Sequence, residues 1–178
     1  MRRLSNRISL KKIKGTKGFD DLSDIEAAML AMALDTDGCL SAANNEDYYY
    51  PIFVFGGSSI LPLELARKYG ETAFKTNPKK TDKESFPYTW QISRQAILKK
   101  FLLLIRPYVI LKWKQVDIAL EMLEVLDTKP EKWKSKMIDL GLSLREANED
   151  YKNPDVDIKE YIELGYTDHI RNEIIPWF

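Results

Sequence analysis

One nine-residue run constrains this chain more than any other: Leu30-Ala31-Met32-Ala33-Leu34-Asp35-Thr36-Asp37-Gly38. It begins inside a helix of small and apolar residues and ends in Asp-x-Asp-Gly, so two carboxylates fall where the helix stops. The C-terminal end of a helix carries partial negative charge, and an acid there costs about 0.3–1 kcal/mol. Stability alone would place Lys or Arg in this turn. The acids therefore point to something positive against the helix end, such as a metal ion. Gly38 marks the break, glycine being the usual residue just past a helix. Ser23 and Glu26 form a capping box at the start. From Ile25 to Leu34 the helix is apolar on nearly every side, and a helix of that kind must be buried all round. Pairing with the same helix of a second subunit supplies that cover; a central core helix of a monomer is the alternative.

After Gly38 the period changes from helical to alternating. Residues 39–45 and 48–55 read as two strands joined by a polar turn at Glu46-Asp47. Gly56-Gly57-Ser58-Ser59 breaks the second strand, and either serine can cap a helix from Ile60 to Tyr69 that Gly70 ends. A strand over 72–77 and another over 88–93 follow, separated by a loop with Pro78, Lys79, Lys80 and Lys83. Four strands with helices on one side make an α+β fold. Alternation puts Trp90 and Ile92 in the core, with Thr89 and Gln91 pointing away. In the preceding strand it puts Phe74 in the core, with Lys75 and Asn77 on a possible reading surface. Ser41, Ala43 and Asn45 share one phase of the first strand. Major-groove recognition uses such residue types, since Lys meets guanine acceptors and Asn or Gln pairs with adenine. The bland alternative is the wet face of a half-buried sheet.

Residues 94–106 form an amphipathic helix with Ile97, Phe101, Leu104 and Ile105 on one face, stopped by Pro107. Lys112-Trp113-Lys114-Gln115 opens the next helix, which carries Val116, Ala119, Leu120 and Leu123. Beyond Asp127, Pro130 to Leu140 reads as a helix closed by Gly141, Leu142 to Asn148 as a short helix, and 157–164 as another. The apolar end, Ile174 to Phe178, is expected to dock on the core.

Formal net charge is zero, but it is unevenly spread. Residues 115–178 hold 15 acids and 8 Lys or Arg, while residues 1–114 hold 12 acids and 19 bases. That asymmetry allows a basic binding face. The first 18 residues carry seven cations and no acid, which suits an arm that lies along a phosphate backbone; a transit peptide and a tail with no role are the alternatives. A single cysteine, Cys39, excludes an internal disulfide, and a lone histidine, His169, gives no Cys/His zinc site. These features suggest an intracellular protein that is not secreted. No apolar run approaches the roughly 20 residues of a membrane span. The organisation expected is a basic arm over 1–18, a core domain over 19–127, and a helical extension over 128–178 packed on that core.

The run LAMALDTDG resembles the motif of the LAGLIDADG homing endonucleases, agreeing at Leu30, Ala31, Asp35, Asp37 and Gly38. It departs at Met32, where the family usually has Gly. The order of elements to about residue 127 and the Lys-x-Lys-Gln segment are similar to the family too. The resemblance implies a four-stranded antiparallel saddle-like sheet with helices on one face, and a site-specific, intron-encoded endonuclease that makes a metal-dependent double-strand break in a long near-palindromic site. It implies Asp37 and Lys112 as catalytic residues, with Asp37 and the Thr36 carbonyl holding Mg²⁺ or another divalent cation. Double-stranded DNA would be read through Ser41, Ala43, Asn45, Lys75, Asn77, Thr89, Gln91, Lys79, Lys80 and Lys114. One motif per chain implies a homodimer, paired through Ala28, Ala31, Met32 and Asp35. No membrane and no small-molecule cofactor enter this scheme. The rival reading is a non-cleaving nucleic-acid binder of the same fold, an intron RNA maturase or a transcription regulator.

Overall fold

The computed structural model describes residues 7–9, 15, 17–57, 60–76 and 88–152. Within them the elements are β1 (Arg7–Ser9), α1 (Asp24–Thr36), β2 (Gly38–Asn45), β3 (Tyr48–Gly57), α2 (Leu61–Tyr69), β4 (Thr72–Thr76), β5 (Tyr88–Ile92), α3 (Gln95–Ile105), a 3₁₀ turn (Arg106–Tyr108), α4 (Trp113–Thr128) and α5 (Trp133–Lys152). The α+β class and the antiparallel four-strand core hold. The sheet has a fifth strand, however, in the order β1-β4-β5-β3-β2. β1 comes from the basic arm. No helix among the described residues is long and apolar enough to cross a membrane.

The helices cover one face of the sheet because alternate strand residues are apolar on that side. Leu40, Phe53, Trp90 and Ile92 are fully buried there. From the helices, Leu34, Leu98, Phe101, Leu102, Ile105, Val116 and Met122 meet them, again with no exposure. Aromatic rings fix the centre: Phe53 lies 5.5 Å from Trp90 in an edge contact, and Phe101 lies 4.9 Å from Phe53. Phe19, on the segment before α1, stacks on Tyr69 at 5.4 Å and tethers α2 to the core. The Trp90 indole, being a buried donor, needs a partner, and it donates to the Gly70 carbonyl at 2.9 Å.

Register corrects one phase. Ala73 opposes Trp90 and both are fully buried, so that position of β4 belongs to the core face. Phe74 therefore opposes Thr89, and Lys75 opposes Tyr88, one residue out of step with the sequence expectation. Trp90 fills the space that a larger residue at position 73 would need. Asn77, Lys79, Lys80 and Lys83 lie outside the described residues, as do the two serines proposed as caps of α2 and the segment 153–178. The residue at the α2 cap position is Ile60, which offers no side-chain bond.

The second correction concerns Gly141. It does not close a helix, because α5 runs unbroken across it from Trp133 to Lys152. Its role is close approach: a Cβ there would sit 2.5 Å from Cβ and Cδ2 of Tyr49 on β3. α5 is thereby laid against β3 and β2, where Tyr48 meets Trp133 at 4.9 Å. A mid-helix Gly-to-Ala change ordinarily gains up to about 1 kcal/mol. Here Gly141→Ala overpacks the contact and should lower unfolding stability by about 1–3 kcal/mol in a denaturant titration.

Candidate functional site

α1 begins where its sequence says it should. The Glu26 amide donates to Ser23 Oγ at 3.4 Å and the Ser23 amide to Glu26 Oε2 at 3.0 Å. Lys17 and Lys68, then the Ser23 amide, hold the Glu26 carboxyl well below the usual carboxylate range. The other end of α1 carries the two motif acids, and they have opposite environments.

Asp35 is buried, with 5% of its surface exposed, and its carboxylate points into the interior of the chain. It accepts from the Ile110 amide at 2.7 Å and from the Lys112 amide at 2.9 Å. Lys112 is the cap residue of α4, so Asp35 places negative charge at that helix's N-terminus, where it is favourable. Lys112 makes the reverse journey. Its ammonium, also 5% exposed, donates to the carbonyls of Leu34 and Gly38 at 2.8 Å each, with Thr36 at 3.5 Å. The Leu34 and Thr36 carbonyls are among those that the end of α1 leaves without a helical partner, and Gly38 is the first residue of β2. The positive partner that the motif demanded is thus supplied by Lys112. Burial pushes this lysine below its ordinary pKa, while Asp35, Cys39 and Asp37 pull it back toward the charged form.

Asp37 is the C-cap of α1 and is exposed. Among the described residues its carboxylate has no hydrogen-bond or salt-bridge partner, though its charge reaches Lys112. The turn holding it is tight. A Cβ on Gly38 would lie 2.6 Å from the Leu34 Cα and 2.9 Å from the Ala33 carbonyl oxygen, so steric exclusion explains this glycine, not a left-handed backbone. Thr36 is exposed, its hydroxyl bonded back to the Met32 carbonyl at 2.9 Å. No group of three or more Asp, Glu, His or Cys that could hold a metal occurs among the described residues. What one chain offers at the helix end is one free carboxylate and one backbone carbonyl, both hard oxygen donors of the kind Mg²⁺ and Ca²⁺ prefer.

α1 is not buried all round. Ile25, Met29 and Met32 are 75%, 66% and 66% exposed, and their spacing puts them in one stripe that leads to Thr36. Of the four residues expected at a subunit contact, Met32 is on this stripe and Ala28 is half-buried beside it. Ala31 and Asp35 face the protomer's own interior.

Leu40 is buried, so Ser41, Ala43 and Asn45 alternate to the other face of the sheet, although α5 reaches the edge of that face, where Tyr48, opposite Asn45, meets Trp133. Gln91 opposes Val54 and Thr89 opposes Gly56, which puts both on that face as expected. Lys114 belongs to the helical layer, exposed and 3.8 Å from Asp150. Sequence reasoning missed the neighbours contributed by α5. A cavity of about 460 Å³ beside the motif is lined by Gly38, Cys39, Ser41, Lys112, Arg145 and Asn148. Arg145 lies 4.3 Å from the Tyr49 ring and bonds its hydroxyl, and Asn148 donates to the Leu40 carbonyl at 2.8 Å. The only local signal for these was a polar stripe on a weak helix.

No family model matches this chain, and no curated protein does. Among solved structures it resembles the homing endonuclease I-CvuI in complex with its target in the presence of calcium. Identity is 20%, TM-score 0.54, and the match covers 70% of this chain and 82% of that one. I-CvuI with the I-CreI target and magnesium, its DNA not cleaved, matches at 19% identity and TM-score 0.47 over 72% and 96%. The first likeness establishes the fold.

If Asp35 fastens α1 to α4, removing its carboxylate leaves the Ile110 and Lys112 amides without their acceptor, at a cost of about 1–3 kcal/mol for each buried group left unsatisfied. Asp35→Ala should show that loss in denaturant unfolding. Asp35→Asn, which keeps an acceptor, should lose less.

Proposed function

We propose that this chain is a site-specific DNA endonuclease of the homing type, metal-dependent and active as a homodimer. The observation that carries this reading is the contrast between the two acids. Asp35 is consumed by the fold, whereas Asp37 is held in the open by a rigid turn at the end of a helix with an uncovered apolar stripe. Pairing two copies of α1 about a twofold axis buries Ile25, Met29 and Met32 of each, in an isologous contact. The same operation carries both Asp37 carboxylates toward the axis. Met32 and Ala28 form the part of this contact nearest the motif.

The Asp37 carboxylate and the Thr36 carbonyl are the groups that would hold a divalent cation, with waters and DNA phosphate completing its shell. When bound, such an ion supplies an activated water and neutralises charge on the leaving oxygen. The chain's own residues do the rest. Lys112 fixes the turn from Thr36 to Gly38 and keeps a positive charge beside the scissile phosphate, where preorganised charge is most effective. Ser41, Ala43, Asn45, Thr89 and Gln91 present the open face of the sheet to the major groove. The target would be a near-palindrome, as a twofold dimer requires, and an intron or similar element would encode the chain.

The test uses a duplex joining the DNA on either side of the reading frame. Purified protein should cut both strands with Mg²⁺ and not with EDTA. Asp37→Asn should abolish cleavage and leave affinity unchanged; if it cuts normally, Asp37 is not the metal ligand. Binding without cleavage by the unaltered protein would assign it instead to the non-cleaving binders of this fold. Met29→Glu, which sets a charge on the stripe, should convert a dimer to a monomer in sedimentation and remove double-strand cutting. A wild-type monomer would refute the dimer.

A further inference from the structure

Gln115 occupies a position that stability alone would give to an apolar residue. It is 2% exposed, in the first turn of α4. Its Nε2 donates to the Ala147 carbonyl on α5 at 2.9 Å, while its Oε1 is buried with no hydrogen-bond partner among the described residues. A buried acceptor left unsatisfied costs at least as much as one neutral hydrogen bond contributes, so the two ends of this amide cancel. Turning the amide over gives no relief, because the Ala147 carbonyl accepts and does not donate. Leu or Met would fill the same space with no such penalty. What Gln115 adds is a fixed attachment between the start of α4 and one point on α5.

That point adjoins a second attachment. Asn148, the residue after Ala147, donates its Nδ2 to the Leu40 carbonyl on β2 at 2.8 Å. Two residues before Leu40 on the same strand, the Gly38 carbonyl accepts from Lys112 Nζ at 2.8 Å. Lys112 and Gln115 lie within one turn of each other at the start of α4. These bonds and the short stretches of backbone between them close a ring, from α4 to α5 to β2 and back to α4. Gly38, Lys112 and Asn148 line one cavity, so the ring runs along the wall of the space beside the motif. We propose that Gln115 and Asn148 are positioning residues for the motif turn: through α5 they set where Gly38 meets Lys112, and with it where Asp37 stands. The proposal rests on the reading of this turn as an endonuclease centre. Neither residue is assigned contact with substrate or metal; both act through Lys112 and β2. In a closed ring each bond is held in register by the others, and precision is what the site needs, since a misplacement of about 1 Å costs about 10²-fold in rate.

The experiment compares the full-length protein with Gln115→Met, Asn148→Ala, the double variant, and Lys136→Met, which breaks an ion pair between α5 and Glu121 of α4 outside the ring. The readouts are the unfolding midpoint in denaturant, hydrogen exchange of the peptide from Leu34 to Leu40 in the free protein, and kcat and KM on the duplex joined from the two flanks. Gln115→Met conserves volume and removes the orphaned acceptor, so its midpoint should match or exceed that of the unaltered protein. Exchange in the peptide should nevertheless quicken, and kcat should fall about 10–100-fold with KM unchanged. Asn148→Ala should show the same changes in exchange and kcat. The double variant should lose no more kcat than the worse single, since either change opens the ring. Lys136→Met should match the unaltered protein in exchange and kcat. Unchanged exchange and kcat in Gln115→Met overturn the proposal. So does a kcat loss that follows the midpoint down, the mark of a merely structural role, and so does a double variant whose loss is the product of the singles. Should the unaltered protein cut no duplex, the endonuclease reading falls, and exchange set against the midpoint still decides whether the ring holds the turn.

Discussion

The structure depends on an exchange of charge between two helix ends. Asp35 sits at the C-terminus of α1 and Lys112 at the N-terminus of α4, each at the end of its own helix that disfavours it. Each side chain crosses to the other helix, where its charge is favoured, and hydrogen-bonds the backbone it finds. The result satisfies two amides and the carbonyls at the end of α1, all of them in a place with little water. It also joins segments 77 residues apart in sequence. The motif turn is rigid because Lys112 binds the carbonyls on both sides of Asp37, at Leu34 and Gly38.

This exchange divides the motif into two functions. The inward half of α1, with Ala31, Leu34 and Asp35, belongs to the protomer's interior. The outward half, with Ile25, Met29 and Met32, is left exposed by the other described residues. A helix apolar on all sides is thus half used by the fold and half left over, and Asp37 stands where the two halves end.

Much of the framework was legible because it rests on short-range patterns. The capping box, the alternation of Trp90 and Ile92, and the Pro107 break each act within a few residues of themselves. What escaped depends on distant partners. Asp35 looked misplaced in charge, and only the tertiary contact shows that Lys112, at the start of a distant helix, answers it. The β4 phase was misread because Phe74 is larger than Ala73, while the core selects Ala73 to make room for Trp90. Gly141 looked like a helix end, the commoner use of glycine, and proved to be a gap for Tyr49. Arg7–Ser9 is too short for a period to show, and its charged surroundings conceal a strand. Ala31 is small in the way an inter-subunit residue would be, and the same smallness suits it to the interior.

A sheet with open edges invites another chain to extend it. At the edge nearest the motif, the strand from Gly38 to Asn45 has α5 lying along it, and the Asn148 amide occupies the Leu40 carbonyl that an incoming strand would seek. That side of the molecule is closed to strand addition. α5 thereby obstructs backbone pairing along this edge, with a side-chain amide seated where the N–H of a neighbouring strand would bond.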